Sequence, residues 1–147
     1  MPAVDVIRVV GGSVAALLAM WRLHDLGPAL AAAWNAGVVL TGVSAGSICW
    51  HVGGTTDSFG PDFRPITDGL ALLPYANGVH TDSEPERRPL FQRLIDARVL
   101  PPGYATDDGV GLLYRGTTFA GALAENSSGG AYFVEPGAEH RLDVTRL

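Results

Sequence analysis

The sequence predicts an α/β domain: a mainly parallel sheet with helices on both faces, making three layers. Three observations carry this. Val4–Val10 and the run entering Ser44 (Val39, Leu40, Thr41, Val43) are continuous apolar, β-rich stretches, as strands buried on both faces are. Each leads into a stretch of helical character, so the first 60 residues read strand, helix, helix, strand, helix. Finally, Gly42-Val43-Ser44-Ala45-Gly46 stands at the second strand-to-helix junction as a G-x-S-x-G.

That junction has a physical logic. A serine on a sharp strand-to-helix turn takes a strained backbone, and flanking glycines remove the Cβ atoms that would clash. The turn holds the hydroxyl out at the carboxyl edge of the sheet, with the next backbone N–H groups aimed at any anion formed there. The same serine is equally suited to capping the helix that follows.

In chain order, Val4–Val10 ends at Gly11-Gly12, and Ser13 is placed to cap a helix beginning Val14-Ala15-Ala16-Leu17-Leu18, with Met20, Trp21 and Leu23 continuing an apolar face. Gly27-Pro28 punctuates it, and Ala29–Asn35 forms a second helix stopped near Gly37. After the Ser44 helix, Gly53–Gly69 reads as a loop rich in Gly, Thr, Asp and Pro. Leu70–Leu73 leads to a turn at Pro74, then to Ala76-Asn77-Gly78-Val79-His80. Glu84–Val99 is helical through Leu90, Phe91, Leu94, Ile95 and Val99, and Pro101-Pro102-Gly103 ends it. From there short strands are expected at Gly103–Asp107, Gly111–Tyr114, Thr118–Ala124 and Ala131–Glu135, with turns between them.

Composition narrows the function classes. A chain of 147 residues makes one domain, 1–147, burying roughly two-thirds of its unfolded surface. A net charge of −5, with ten dispersed basic residues, gives no electrostatic footprint for nucleic acid. The single cysteine, Cys49, excludes an internal disulfide and a thiolate zinc cluster. No run approaches the roughly 20 apolar residues of a spanning helix, and the first residues lack a signal-peptide plan. The expectation is a cytoplasmic protein without a membrane partner.

A hydroxyl nucleophile needs a base, and the base an orienting acid. Of the four histidines, His24 lies in a helical stretch and His140 in a polar tail, so both read as surface residues. His51 follows the Ser44 turn and reads as packing or solvent-facing. His80 precedes Thr81-Asp82 after an apolar segment, where a base would stand after a strand. For the acid, Asp107-Asp108-Gly109 sits at a strand-end turn, although D-G is also ordinary turn chemistry. The chain order Ser, His, acid differs from the Ser, acid, His order of α/β-hydrolases.

Taken in order, these residues resemble peptidase family S51, the peptidase E-like α-aspartyl dipeptidases. The matching pieces are Gly11-Gly12, Ala36–Val39, Gly42–Gly46, Gly53–Gly60, Asp68-Gly69-Leu70 with Leu73-Pro74, and His80 with Asp82. Glu84–Pro89, Leu100–Ala105 and Asp107–Gly109 complete a series covering about Val6 to Val134. Ser13 stands where the family pattern has Asn, and Val79 where it has Pro before the histidine.

The resemblance implies a flavodoxin-like, class I glutamine-amidotransferase-like sheet and a serine peptidase acting on short peptides, specifically dipeptides with N-terminal Asp. It implies Ser44 as nucleophile, His80 as base and Asp108 as acid, with Asp107 the neighbouring alternative. Gly12 and Ala45 would supply oxyanion N–H groups. Arg87 or Arg88 would meet the substrate carboxylate. No metal or organic cofactor is implied. Compared with the family, the sheet is shortened on its N-terminal side, which points to a homo-oligomer that covers the open edge. Two other readings are an inactive S51-like binding or assembly module and a hydrolase of another amide or ester.

Overall fold

The computed structural model describes residues 4–125 and 128–147. They run β1 (Val6–Val9), α1 (Val14–Leu23), α2 (Leu26–Asn35), β2 (Val39–Gly42), α3 (Ala45–Ile48), β3 (Gly53–Thr56), β4 (Arg64–Ile66), β5 (Ala76–Gly78) and α4 (Arg87–Asp96). The chain continues with β6 (Gly103–Thr106), β7 (Val110–Arg115), β8 (Thr118–Ala124), β9 (Ala131–Glu135), β10 (Ala138–Leu142) and β11 (Val144–Arg146). Strand, helix, helix, strand, helix is the observed opening, and Ser13 caps α1 by accepting the Ala16 N–H at 3.2 Å.

The architecture is a three-layer α/β arrangement around a mixed central sheet of order β10-β9-β6-β5-β3-β4. Within it β3–β5 and β5–β6 are parallel, while β3–β4, β6–β9 and β9–β10 are antiparallel. The expected mainly parallel sheet is therefore corrected to a mixed one. Within it the Pro136-Gly137 turn is too short for a parallel crossover, so β9–β10 is a hairpin; the Gly116-Thr117 turn makes a second hairpin, β7–β8, in a separate three-stranded sheet. β11 then pairs parallel with β8.

Alternation along β5 shows how the layers are built. Ala76 joins a core with Phe91 and Ile95 of α4, and Gly78 lies against the Phe91 ring. Asn77 and Val79 face the other way, toward α3 and the core of Val14, Leu18, Ile48 and Trp50. Phe91 and Ile95 are each 1% exposed, which at about 1.5–3 kcal/mol per side chain fixes α4 on the sheet.

β1 and β2 form a separate parallel pair with Val6 opposite Val39. Ile7, Val9 and Leu40 pack on the helix side, whereas Val6 and Val39 are 53% and 57% exposed. These strands were expected to be covered on both faces. In the described chain they are covered on one. Two further expectations change. The stretch Gly53–Gly69 contains β3 and β4, and the polar tail forms β10 and β11.

At the turn after β2 the backbones nearly touch. A Cβ added to Gly42 would lie 1.9 Å from the Gly46 carbonyl oxygen, and one added to Gly46 would lie 2.2 Å from the Val9 carbonyl oxygen. Gly46→Ala should thus force β1 and α3 apart and lower stability by at least about 2 kcal/mol, measured by urea denaturation. A wild-type midpoint in that variant would contradict this packing.

Candidate active site

Ser44 stands between β2 and α3 with φ 56° and ψ −118°, a left-handed backbone that a non-glycine residue adopts only under constraint. Behind it the helix is closed by Ser47 and Ile48 N–H groups donating to the Ser44 carbonyl at 2.8 and 3.0 Å. His80 lies just beyond β5 and also takes positive φ, 58°. Asp108 sits in the turn between β6 and β7. Three separate strand ends thus deliver three side chains to one place.

They form one hydrogen-bonded chain. His80 Nε2 is 2.9 Å from Ser44 Oγ, and His80 Nδ1 is 2.5 Å from Asp108 Oδ1. A hydrogen bond from Ser83 holds the Asp108 carboxyl below its ordinary pKa; desolvation opposes it, and the hydrogen bond and charge of His80 add to the lowering. With Asp108 ionised, Nδ1–H donates to it and Nε2 is left to accept the Ser44 hydroxyl. Asp82 steadies this turn from the other side, accepting the Asp108 N–H at 2.9 Å.

Asp107, the alternative acid, is held elsewhere. Its carboxylate accepts from Thr81 Oγ at 2.6 Å, from the Gly130 N–H at 2.8 Å and from the Tyr132 hydroxyl at 3.4 Å. It ties β6 to β9 while its neighbour faces His80.

A cleft of about 380 Å³ opens beside Ser44, lined by Gly12, Ser13, Asp57, Ser58, His80, Glu84 and Arg87. Gly12 has φ 141°, a conformation side chains rarely adopt, and an added Cβ on Gly11 would sit 3.4 Å from Ser44 Cβ. The Gly11-Gly12 loop therefore passes directly over the serine. The Ala45 N–H opens α3, where a helix's first amides have no intrahelical acceptor.

Of the two candidate arginines, the structure brings only Arg87 to this cleft. It is 4% exposed, donates to the Thr55 carbonyl at 2.5 Å and to Glu84, and stacks 4.4 Å over the Phe63 ring. Arg88 points away. It pairs with Glu139 and lies 4.0 Å over the Tyr132 ring, fastening α4 to β10, so of the two alternatives it is the one outside the cleft.

Under the site runs a polar strap that sequence reasoning missed. Ser47 Oγ donates to Asn77 Oδ1 at 2.7 Å, and Asn77 Nδ2 donates to the Tyr104 carbonyl at 3.3 Å. This joins α3, β5 and β6, the elements that carry Ser44, His80 and Asp108. The only signal was a polar residue within an otherwise small and apolar strand. Asp57, Glu84 and Ser83 also went unassigned, although Asp57 follows Thr55-Thr56 at a strand end.

Cys49, His24, His51 and His140 do not line this cleft. Burial pushes the Cys49 thiol up to about 12. His24 and His140 are exposed. His51 is buried, its Nδ1–H donating to the Ser47 carbonyl at 2.8 Å and its Nε2 facing the Tyr114 hydroxyl at 3.3 Å. Among the described residues no group of His, Cys, Asp and Glu is placed to hold a metal ion, and no helix is long and apolar enough to cross a membrane.

Fold and site define a hydrolase-like α/β protein with a serine at a strained strand-to-helix turn. The family model of peptidase family S51 matches residues 1–121, and the chain belongs to that family. It is 39% identical over 138 residues to the uncharacterized peptidase YgaJ of Bacillus subtilis (strain 168), covering 94% of this chain and 59% of that protein. The chain therefore spans about three-fifths of the length of that relative.

Burial pushes the His51 imidazole down to about 4, so the folded protein keeps it neutral where an unfolded chain would protonate it. Its stabilising effect is complete above the ordinary histidine pKa of about 6.5 and is lost as pH falls from there toward 4. The full loss is on the order of 3 kcal/mol. Urea denaturation at pH 7 and pH 5 should show wild type weakening, with a flatter response in His51→Gln. Equal slopes would contradict the assignment.

Proposed function

We propose that the protein is a serine peptidase that hydrolyses short peptides, with dipeptides bearing N-terminal Asp as the substrate class. The observation that carries this reading is the continuous chain Ser44 Oγ, His80, Asp108 opening on a cleft that also holds Arg87. Family membership supports the peptidase class. The reading takes the mixed sheet as a form of the flavodoxin-like, class I glutamine-amidotransferase-like fold. It also takes the exposed valines of β1 and β2 as a contact between copies of the chain.

In this mechanism His80 Nε2 removes the Ser44 proton as Oγ attacks the scissile carbonyl carbon. The developing oxyanion is held by the Gly12 and Ala45 N–H groups. The imidazolium, stabilised by Asp108, passes its proton to the leaving nitrogen as the C–N bond breaks. Water, deprotonated by the same imidazole, then attacks the acyl-Ser44 ester, and its cleavage returns the hydroxyl. The Arg87 guanidinium would meet the substrate's side-chain carboxylate.

Turnover of Asp-Leu and of Asp-p-nitroanilide tests the reading. Ser44→Ala should lower kcat/KM by roughly 10³-fold or more, and Asp108→Asn should lower kcat by roughly 10²- to 10⁴-fold with little change in KM. Activity surviving in Ser44→Ala would contradict the serine mechanism. No turnover by wild type would favour a binding or assembly module.

A further inference from the structure

The cleft beside Ser44 carries charges that the mechanism does not use. Arg87 has three neighbours there with different commitments. Glu84 pairs with its Nε, and the Thr55 carbonyl accepts from Nη1. Asp57 Oδ1 lies 3.7 Å from Nη2, beyond a normal hydrogen bond, and its side chain is 58% exposed. Glu84 is therefore part of the arginine's support, while Asp57 keeps acceptor capacity facing the cleft.

Asp57 is not loosely tethered. The next residue, Ser58, accepts the Ala15 N–H on its hydroxyl at 3.3 Å and donates its own N–H to Thr56 Oγ at 3.1 Å. These bonds staple the end of β3 to the first turn of α1. Gly12 and Ser13, immediately before that turn, line the same cleft. A carboxylate and a guanidinium are thus held side by side, incompletely paired, in the cleft that Ser44 also lines.

We infer that Asp57 receives the ligand's primary α-ammonium while Arg87 Nη2 receives its carboxylate, so the site selects a free amino terminus. This rests on the peptidase reading and names a specificity residue within it. A ligand with an ammonium and a carboxylate a few bonds apart would replace one weak internal ion pair with two charge-assisted pairs. Acetylating its nitrogen removes the charge and leaves Asp57 facing a neutral amide.

Calorimetric titration of the wild-type protein with L-aspartate and with N-acetyl-L-aspartate tests this. Wild type should bind L-aspartate at least about tenfold more tightly. Asp57→Asn should lose most of that difference by weakening L-aspartate alone, and Asp57→Glu, which keeps the charge, should retain it. Circular dichroism and thermal melts would establish that the variants are folded. Equal wild-type affinities, no L-aspartate binding, or full discrimination in folded Asp57→Asn would each overturn the inference. Loss of the Ser44 mechanism would show instead as peptide turnover surviving Ser44→Ala, with this binding difference intact.

Discussion

The rest of the structure depends on how closely β1, β2 and α3 approach at the turn around Ser44. Gly46 leaves the Val9 carbonyl oxygen room that no side chain would, and Gly42 does the same for Gly46. The Val43 N–H donates to that Val9 carbonyl at 3.2 Å, so the turn is tied to the first strand as well as pressed against it. The left-handed backbone of Ser44 follows: with the turn fixed on both sides, the serine absorbs the strain and its hydroxyl stands clear of the sheet.

A second constraint lies on β5. Its period-two alternation sends Ala76 and Gly78 toward α4 and Asn77 toward α3. Asn77 gives one bond to each side through Ser47 and Tyr104, so the strands bearing His80 and Asp108 keep their distance from the helix behind Ser44. Buried polar groups of this kind are costly unless fully bonded, and here both ends of the amide are occupied. Asp107 does similar work between β6 and β9, which leaves Asp108 to face the histidine.

Much of this was legible in the sequence, for local reasons. Continuous apolar runs marked β1 and β2, Ser13 marked the start of α1, and the G-x-S-x-G marked the turn, because each encodes its structure within a few residues. His80 stood out by its place after an apolar segment, and Asp108 came only with the family resemblance; their contact is made across 28 positions of sequence and only the fold displays it. The unread parts had no local signal. β3 is Gly-Gly-Thr-Thr, loop-like in composition, yet Gly53 is required because the Ile66 carbonyl passes 1.9 Å from where its Cβ would be. β10 is polar because it is an exposed edge strand, and Arg88 looked like Arg87 until Glu139 on that strand was seen to claim it. The mixed sheet arises from the antiparallel pairs β3–β4, β6–β9 and β9–β10, which the apolar pattern does not specify.

The central claim is that Ser44 is a nucleophile activated through His80. Its most direct measurement is incubation with diisopropyl fluorophosphate followed by intact-mass and tandem mass spectrometry. The account predicts a single diisopropylphosphoryl group on Ser44 in wild type and its loss in His80→Ala at the same pH. Labelling at another residue, or an unlabelled Ser44 in the folded wild-type protein, would contradict it.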